Sequence, residues 1–520
     1  MDEVHVMRKV VIDGSNTTGF QRTCIISLGG NLTVDGKIIP IQQISLEEDA
    51  GRKTGESKNS VTFALDRLGV PLVEIATGPV INTPNEAGKV ALAIGQTLRA
   101  TRRVKRGLGS IRQDLNVSIK NGALIEIKGV QELALVPKVI ELEVQRQKTL
   151  LEIREELKNR NVKEFDLKED FKDLTSLISS SQSKIIQSAL KQGGIFQAVK
   201  LQGFSGLLRR ELIPGVRLGI EMAKRAGFWG RVGGVFHSDE LPAYGITQQE
   251  KDTISEHLKC GLNDAFVLIA DARENTIDGL RAVIDRAKEA ITGVPEETRT
   301  ANPDATTTYM RPRPSAARMY PETDVPPVEI TGERVHRVSE NMPRMEEEIT
   351  KEIESKYHLS PKQASQLVGS EYLPTFEGIT KESPHLSPSF VATVLTESLR
   401  SLERDHVQVE NLNDARLRQV FQLIAEGKTA KESAVEILKW MAERPIANAN
   451  EAVEQLHLGM MSMEELAGIV SGIVASNQAL VKEDGAKAIG KMMNLVMGEV
   501  RGKADPKLVN EILKDQIGQA

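Results

Sequence analysis

The sequence predicts a multidomain α+β protein: a β-rich first part, an α+β module after it, and an all-helical C-terminal region. Three observations predict this. The chain has 520 residues, more than one hydrophobic core organises, so several domains are expected. Strand-like apolar segments dominate residues 4–75, whereas beyond residue 340 apolar positions recur at helical spacing. Between these regions, residues 161–181 are polar and charged and end in Ser179-Ser180-Ser181, the composition of a boundary.

Composition narrows the function classes. With aromatics at only 4%, the cores must be built from Leu, Ile, Val, Ala and Met. A net charge of −5 gives no global basic field, so any nucleic-acid surface has to be a local patch. Cys24 and Cys260 lie far apart, which fits a reducing compartment and excludes a disulfide framework or a thiolate zinc site. The histidines are scattered, with no pair at metal-ligand spacing. No apolar run is long enough to cross a membrane and no signal peptide is evident, so the expected location is the cytoplasm. No Gly-x4-Gly-Lys-Ser/Thr loop occurs, and Gly427-Lys428-Thr429 lacks the upstream glycine. A Gly-x-Ser-x-Gly elbow is also missing, and neither cysteine has the context of a glutaminase nucleophile.

Taken in order, Val4, Val6, Val10 and Ile12 alternate with polar residues and lead to the turn Asp13-Gly14-Ser15-Asn16. This strand-like sequence follows Met1-Asp2-Glu3 without a lead-in, as though a domain were entered midway. Cys24 to Leu28 reads as a strand stopped by Gly29-Gly30, and Ile39 to Ile44 as another. The acidic stretch Leu46-Glu47-Glu48-Asp49-Ala50-Gly51-Arg52 follows. On a strand, Glu47 and Asp49 point one way and Glu48 the other. Three acids in a row do not suit a core, since burying them unpaired costs several kcal/mol each. Val70 to Ile75 is a buried-strand pattern holding one acid, Glu74. Two readings of Glu74 stand: a carboxylate paired with a core arginine such as Arg67, or part of a metal or phosphate site.

Thr83-Pro84-Asn85-Glu86 is a capping box with proline at the first helical position, so a helix begins there. It runs into Arg99, Arg102, Arg103, Lys105 and Arg106 before Gly107-Leu108-Gly109. Such cations suit a helix C-terminus or a docking site for phosphates. Ser110 to Ile119 and Leu124 to Ile127 predict a hairpin bearing Arg112, Asp114, Asn116 and Glu126, with Lys128 directly after it. Lys138 to Arg160 predicts a long amphipathic helix. In the next module Ile195 to Leu201 and Phe266 to Ala270 predict strands. Ile213 to Ala226, Thr247 to Lys259 and Thr276 to Ala290 predict helices. Residues 295–330, rich in Pro, Thr and Arg, are too charged and varied for a plain spacer and are expected to pack back on the first domain. Ser360-Pro361-Lys362-Gln363 and Ser387-Pro388 mark helix starts. Ile489, Met492, Met493, Val496 and Val500 form a core stripe. Lys487, Lys491, Arg501, Lys503 and Lys507 form either a solvated face or an RNA contact.

The chemistry left open is a carboxylate cluster suited to Mg²⁺, which prefers oxygen ligands and keeps substrate phosphates in its shell. With basic and amide side chains nearby in sequence, that suits phosphoryl transfer without a P-loop.

Several motifs in fixed order carry a resemblance that covers nearly the whole chain. They are Arg8-Lys9, Asp13-Gly14, Gly19-Phe20-Gln21-Arg22-Thr23, Leu46 to Arg52, Leu65-Asp66-Arg67 with Pro71-Leu72-Val73-Glu74-Ile75, and Arg106 to Asn116. The sequence resembles the B/E-subunit family of tRNA-dependent amidotransferases. The loop Phe236 to Gly245 resembles the insertion of bacterial-type aspartyl-tRNA synthetases, which marks the archaeal E-subunit branch. The resemblance implies a β-rich cradle-like catalytic domain in two parts, residues 1–180 and a return segment 295–335. An aspartyl-tRNA-synthetase-like insertion spans 181–294, a helical domain 336–409, and a tRNA-binding helical tail 410–520.

The implied reaction phosphorylates the γ-carboxylate of Glu-tRNA(Gln) with ATP and Mg²⁺, then amidates it with ammonia from an asparaginase-like partner, the D subunit. The implied partners are that D subunit and tRNA(Gln), in a heterotetramer of two D and two E subunits, with no membrane. Glu47 and Glu74 match the family's Mg²⁺ carboxylates, with Glu48 and Asp49 as alternatives. Lys9 matches a basic residue that meets phosphates or the ammonia path. Arg8, Arg112, Asp114, Asn116 and Lys128 are implied in nucleotide binding, with Glu126 beside them. Two departures stand out. Thr18 replaces a lysine of the B-type members, which implies a different channel lining. The family's N-terminal segment, with a metal-holding Glu and His, would lie before Met1. A chain lacking that segment leaves a second reading, a non-catalytic tRNA-binding scaffold.

Overall fold

The computed structural model describes residues 2–57, 60–105, 110–179, 181–313, 318–478, 480–481, 488–500, 504 and 506–518. The chain divides into two compact units, residues 1–95 with 103–341, and residues 96–102 with 342–520. Strands and helices mix in the first and helices fill the second. Among the described residues no helix is long and apolar enough to cross a membrane.

The first unit opens with β1 (Glu3–Val4), β2 (Met7–Val10), β3 (Phe20–Leu28), β4 (Asn31–Val34), β5 (Lys37–Glu48), β6 (Arg52–Glu56), β7 (Val61–Ala64) and β8 (Pro71–Thr77). Helix α1 (Pro84–Ala100) follows, and Thr83 Oγ1 accepts from the Glu86 N–H at 3.2 Å, as the capping box predicts. Next come β9 (Gln113–Val117), β10 (Ile125–Val130) and α2 (Val136–Asn159). The turn Arg106 to Gly109 lies outside the described residues.

The inserted module comprises β11 (Lys172–Asp173), α3 (Lys184–Lys191), β12 (Ile195–Leu201), β13 (Glu211–Ile213), β14 (Val216–Arg217) and α4 (Leu218–Gly230). It continues with β15 (Phe236–His237), α5 (Gln248–His257), β16 (Ala265–Asp271) and α6 (Arg273–Thr292). Its sheet runs β11-β12-β16-β15. Two expectations change here. The helix expected from Ile213 begins at Leu218, because Pro214-Gly215, with Gly215 at φ +78°, turns a short hairpin first. The boundary expected at residue 181 cuts through the module. β11 already pairs with β12, and Leu150, Ile153 and Leu157 of α2 pack in the same core as Val199, Leu201 and Val267.

The chain then returns to the first strands through β17 (Glu297–Ala301), β18 (Thr307–Pro312), β19 (Met319–Pro321) and β20 (Val328–Glu329), before α7 (Gly332–Glu340). One sheet runs β19-β2-β3-β5-β4, with β8 also on β5. A second runs β18-β17-β10-β9, in which β10 and β17 are parallel. Ile125, Ile127 and Val130 point from β10 into the core with Val136 and Val139 of α2, leaving Glu126 and Lys128 on the opposite face.

In the second unit one core joins helices from Ile353 to Ala452, and a separate core joins Leu466 to Leu513. The boundary expected at 409/410 therefore falls inside a core, since Leu402, Val407, Leu412 and Leu417 pack together. Met492, Val496 and Val500 are buried as the stripe predicts. Lys487, Arg501 and Lys503 lie outside the described residues.

Candidate active site

The period of two along a strand sorts the N-terminal motif residues. In the register of β2, β3 and β5, Lys9 lies opposite Gln21 and Thr23 lies opposite Glu47. Lys9, Gln21, Thr23 and Glu47 therefore share a face. Lys9 Nζ donates to Glu47 Oε1 at 2.8 Å, Thr23 Oγ1 donates to the same oxygen at 3.0 Å, and Gln21 Nε2 donates to Oε2 at 3.2 Å. Glu47 is thus held from three sides, with its side chain only 12% exposed.

On β8, Leu72 lies opposite Glu47 and Glu74 opposite Ser45. Glu74 is then the diagonal neighbour of Glu47, about 7–8 Å away at the backbone. It forms no ion pair with Arg67, nor with any other residue among those described. Although Glu74 is exposed as a residue, protein around its carboxyl desolvates it and pushes its pKa up, and the Glu47 carboxylate adds to this. Lys9 and Lys128 pull the other way.

Lys128 and Asp114 of the second sheet act on Glu74 through their charges, Lys128 lowering its pKa and Asp114 raising it. Lys128 Nζ lies 3.2 Å from Asp114 Oδ2 and 3.1 Å from Glu126 Oε1. Arg112 Nε lies 3.4 Å from Asp114 Oδ1, and Asn116 sits opposite Glu126. Thr298 Oγ1 donates to Glu126 Oε2 at 2.7 Å across the parallel pair. Desolvation pushes Glu126 upward, but Thr298 and Lys128 outweigh it and hold its carboxyl below the usual range.

The reverse face of the first sheet carries the neighbouring residues. Arg8 binds Glu322, and its Nη2 reaches Asp324 Oδ2 at 2.8 Å. Arg22 binds Glu48 at 3.1 Å and Glu322 at 2.6 Å. The Glu322 carboxylate is fully enclosed and also accepts the N–H groups of Thr323 and Asp324. Arg8 keeps it well below the usual carboxylate range.

Of the residues singled out from sequence, Lys9, Glu47, Glu74, Asp114 and Lys128 come together, with Arg112 and Asn116 on the rim of the second sheet. Arg8 and Glu48 do not join them, because alternation turns both to the reverse face. Asp49 lies past the end of β5 and accepts from the Ala50 N–H at 2.9 Å. Gln21, Thr23 and Thr298 are site residues that sequence reasoning missed. Gln21 and Thr23 stand at alternate positions of β3, a signal available in sequence. Thr298 is 172 positions from Glu126 and gave none.

The donor set bears on Mg²⁺. Among the described residues no three His, Cys, Asp or Glu side chains group as an all-protein metal cage. Mg²⁺ is usually held by one or two carboxylates, with water and substrate phosphates completing its shell. Glu47 and the unpaired Glu74 fit that pattern, and a dication beside Glu74 would favour its ionised form.

Residues 1–336 match the family described as the GatB/GatE catalytic domain, and residues 374–517 match the GatB domain. The chain is 48% identical over 517 residues to the glutamyl-tRNA(Gln) amidotransferase E subunit of Thermococcus gammatolerans, covering 99% of this chain and 82% of the relative. It is 47% identical over 520 residues to the E subunit of Aeropyrum pernix, and 45% over 516 residues to that of Methanococcus maripaludis. In both, 99% of this chain and 81% of the relative are covered.

Proposed function

The chain belongs to the GatB/GatE family, and on that premise we propose that it is the synthetase-like subunit of a glutamyl-tRNA(Gln) amidotransferase. The near-full-length likeness to proteins of that name carries the reading, and the site supplies chemistry consistent with it. A carboxylate is a poor acyl donor, so the γ-carboxylate of Glu-tRNA(Gln) first attacks the γ-phosphorus of ATP and ADP leaves. Ammonia then attacks the acyl phosphate carbon, phosphate departs, and Gln-tRNA(Gln) results.

Each side chain has a part in this. Lys9 and Lys128 bring two ammonium groups to the face around Glu74, where they meet phosphate oxygens. Gln21 and Thr23 orient Glu47, which in turn holds Lys9. Glu47 and Glu74 are the carboxylates that would hold Mg²⁺, which would neutralise charge on the triphosphate. Arg112, Asp114 and Asn116 line the nucleotide side. Arg8 acts from behind, through Glu322. Ammonia comes from an asparaginase-like D subunit, in a cytoplasmic heterotetramer of two D and two E subunits. The cradle-like part, the aspartyl-tRNA-synthetase-like insertion and the RNA-binding tail keep the roles that the family assigns. The scaffold reading is not favoured, because one unit of this chain places two carboxylates and two ammonium groups within electrostatic reach of one another.

The test is incubation of the chain with Glu-tRNA(Gln), ATP, Mg²⁺ and ammonium. Gln-tRNA(Gln) is expected without any glutaminase partner, and its absence would sink the catalytic reading. Glu74→Ala is expected to abolish product while tRNA binding persists. Retained activity would remove Glu74 from the metal site.

A further inference from the structure

Away from this site, α4 presents a face that its own unit leaves open. Leu218, Met222 and Ala226 are buried in the module core, while Ile220, Lys224 and Phe228 follow at intervals of four on the exposed side. Arg217 precedes the helix on that side, and Trp229 and Arg231 end it, all three exposed. Arg217, Lys224 and Arg231 form no ion pair among the described residues, in a chain whose net charge is −5. Phe228 and Trp229, each 50% exposed, pack edge to face with ring centroids 5.1 Å apart. Cations alternating with half-exposed aromatics are the pattern by which proteins follow a phosphate backbone and stack its bases.

A cavity of about 350 Å³ opens beside this stripe, lined by Ile220 and Lys224 of α4 and by Asn302, Thr308 and Tyr309 of the β17–β18 hairpin. Tyr309 is 9% exposed, and its hydroxyl lies beside the Trp229 side chain. Its ring stacks under the Arg225 guanidinium at 4.0 Å and meets the Phe228 ring edge to face at 5.5 Å. A lining of amide and hydroxyl side chains beside an aromatic pair suits a polar, flat ligand, and the volume suits a nucleoside.

We propose that the α4 face and the adjoining cavity form an RNA-docking surface, its cations on backbone phosphates and its aromatic pair and cavity receiving one unpaired nucleotide. The inference rests on the reading of a tRNA substrate and deepens it. It assigns the inserted module a direct contact with that RNA, separate from the Lys9–Glu47 face. Charge selects the occupant: three unpaired cations complement a polyanion, and stacking tolerates any unpaired base.

The test measures binding of the full chain to transcribed tRNA(Gln) across a salt series. Arg217→Glu/Lys224→Glu is expected to weaken binding about tenfold and to flatten the slope of log affinity against log salt by about two. Trp229→Ala is expected to weaken binding about fivefold with the slope unchanged. All three positions are exposed, and an unchanged thermal transition checks that the variants fold. Affinity within twofold of wild type and an unaltered slope in both variants would overturn the proposal. Loss of subunit assembly with normal RNA binding would also overturn it, making the face a protein interface. If wild type converts Glu-tRNA(Gln) while the variants bind RNA normally, only this inference falls. If wild type neither binds nor converts tRNA, the functional reading falls with it.

Discussion

Glu221→Gln should destabilise the first unit strongly without touching the candidate site. Glu221, on α4, is 6% exposed, and three guanidinium groups converge on its carboxylate: Arg146 at 2.9 Å, Arg286 at 2.8 Å and Arg299 at 3.2 Å. Burial alone would raise its pKa, but these arginines outweigh it and hold the carboxyl far below the ordinary range. Glutamine keeps the shape and removes the charge, leaving an excess positive charge among Arg146, Arg286 and Arg299. Breaking a buried pair in this way costs about 3–5 kcal/mol, which for a unit of this size is a fall in Tm of about 4–7 °C. Trp229 lies in the first unit and Trp440 in the second, so denaturant unfolding in a Trp440→Phe background reports the first unit. The exposed Glu211→Gln serves as control. The linkage has a definite sign. A carboxylate with a depressed folded pKa stabilises fully above its unfolded value, about 4.3, and loses that contribution as pH falls toward the folded value. The gap between wild type and variant should therefore be constant near neutral pH and shrink below about pH 4. A loss under about 1 kcal/mol, or a gap that persists in acid, would refute the reasoning.

Lys9→Met removes the cation that Glu47 holds and is expected to lower kcat about 100-fold with tRNA affinity unchanged; near-normal kcat would take Lys9 out of the site. Glu322→Gln loosens the latch behind the same strands and should raise the KM for ATP several-fold, while Glu322→Asp restores part of it. Equal KM in all three proteins would separate the latch from the site. Deleting residues 462–520, which leaves the core from Ile353 to Ala452 whole, should raise the KM for tRNA about tenfold and keep kcat within about twofold. An unchanged KM would deny the tail an RNA role.

Much of the first sheet was legible in sequence because a strand's alternation is simple. Glu47 and Glu48 are assigned to opposite faces by their positions alone, and Glu74 stands out as an acid inside an apolar strand. What stayed hidden depends on pairing across sequence distance. Glu322 is enclosed by Arg8 and Arg22, which precede it by 314 and 300 residues. Thr298 reaches Glu126 only because β17 adds in parallel to β10. The start of the inserted module was misplaced for a related reason. The polar stretch before residue 181 contains Leu167, Leu174 and Ile178, isolated in sequence but buried in the module. Apolar residues too sparse for a pattern can still fill a core when the chain passes over it once.

The two sheets share a division of labour that follows from the same alternation. At Arg8–Lys9 and at Glu47–Glu48, one residue joins the candidate site and its neighbour joins the latch behind it. At Thr298–Arg299, the threonine serves the site face through Glu126, while the arginine enters the buried network with Glu297 and Glu221. β2, β5 and β17 thus carry ion pairs on one side and the candidate-site groups on the other. Rigidity behind and accessible charge in front are what phosphoryl transfer by positioning requires. The arrangement also makes register unforgiving. A one-residue slip of β2 would bring Arg8 to the front and Lys9 to the back, exchanging the ammonium at Glu47 for a guanidinium and the reverse at Glu322. Glu322 thus ties the register of β2 to the carboxylate that receives the guanidinium, since it accepts Arg8 when Lys9 faces Glu47.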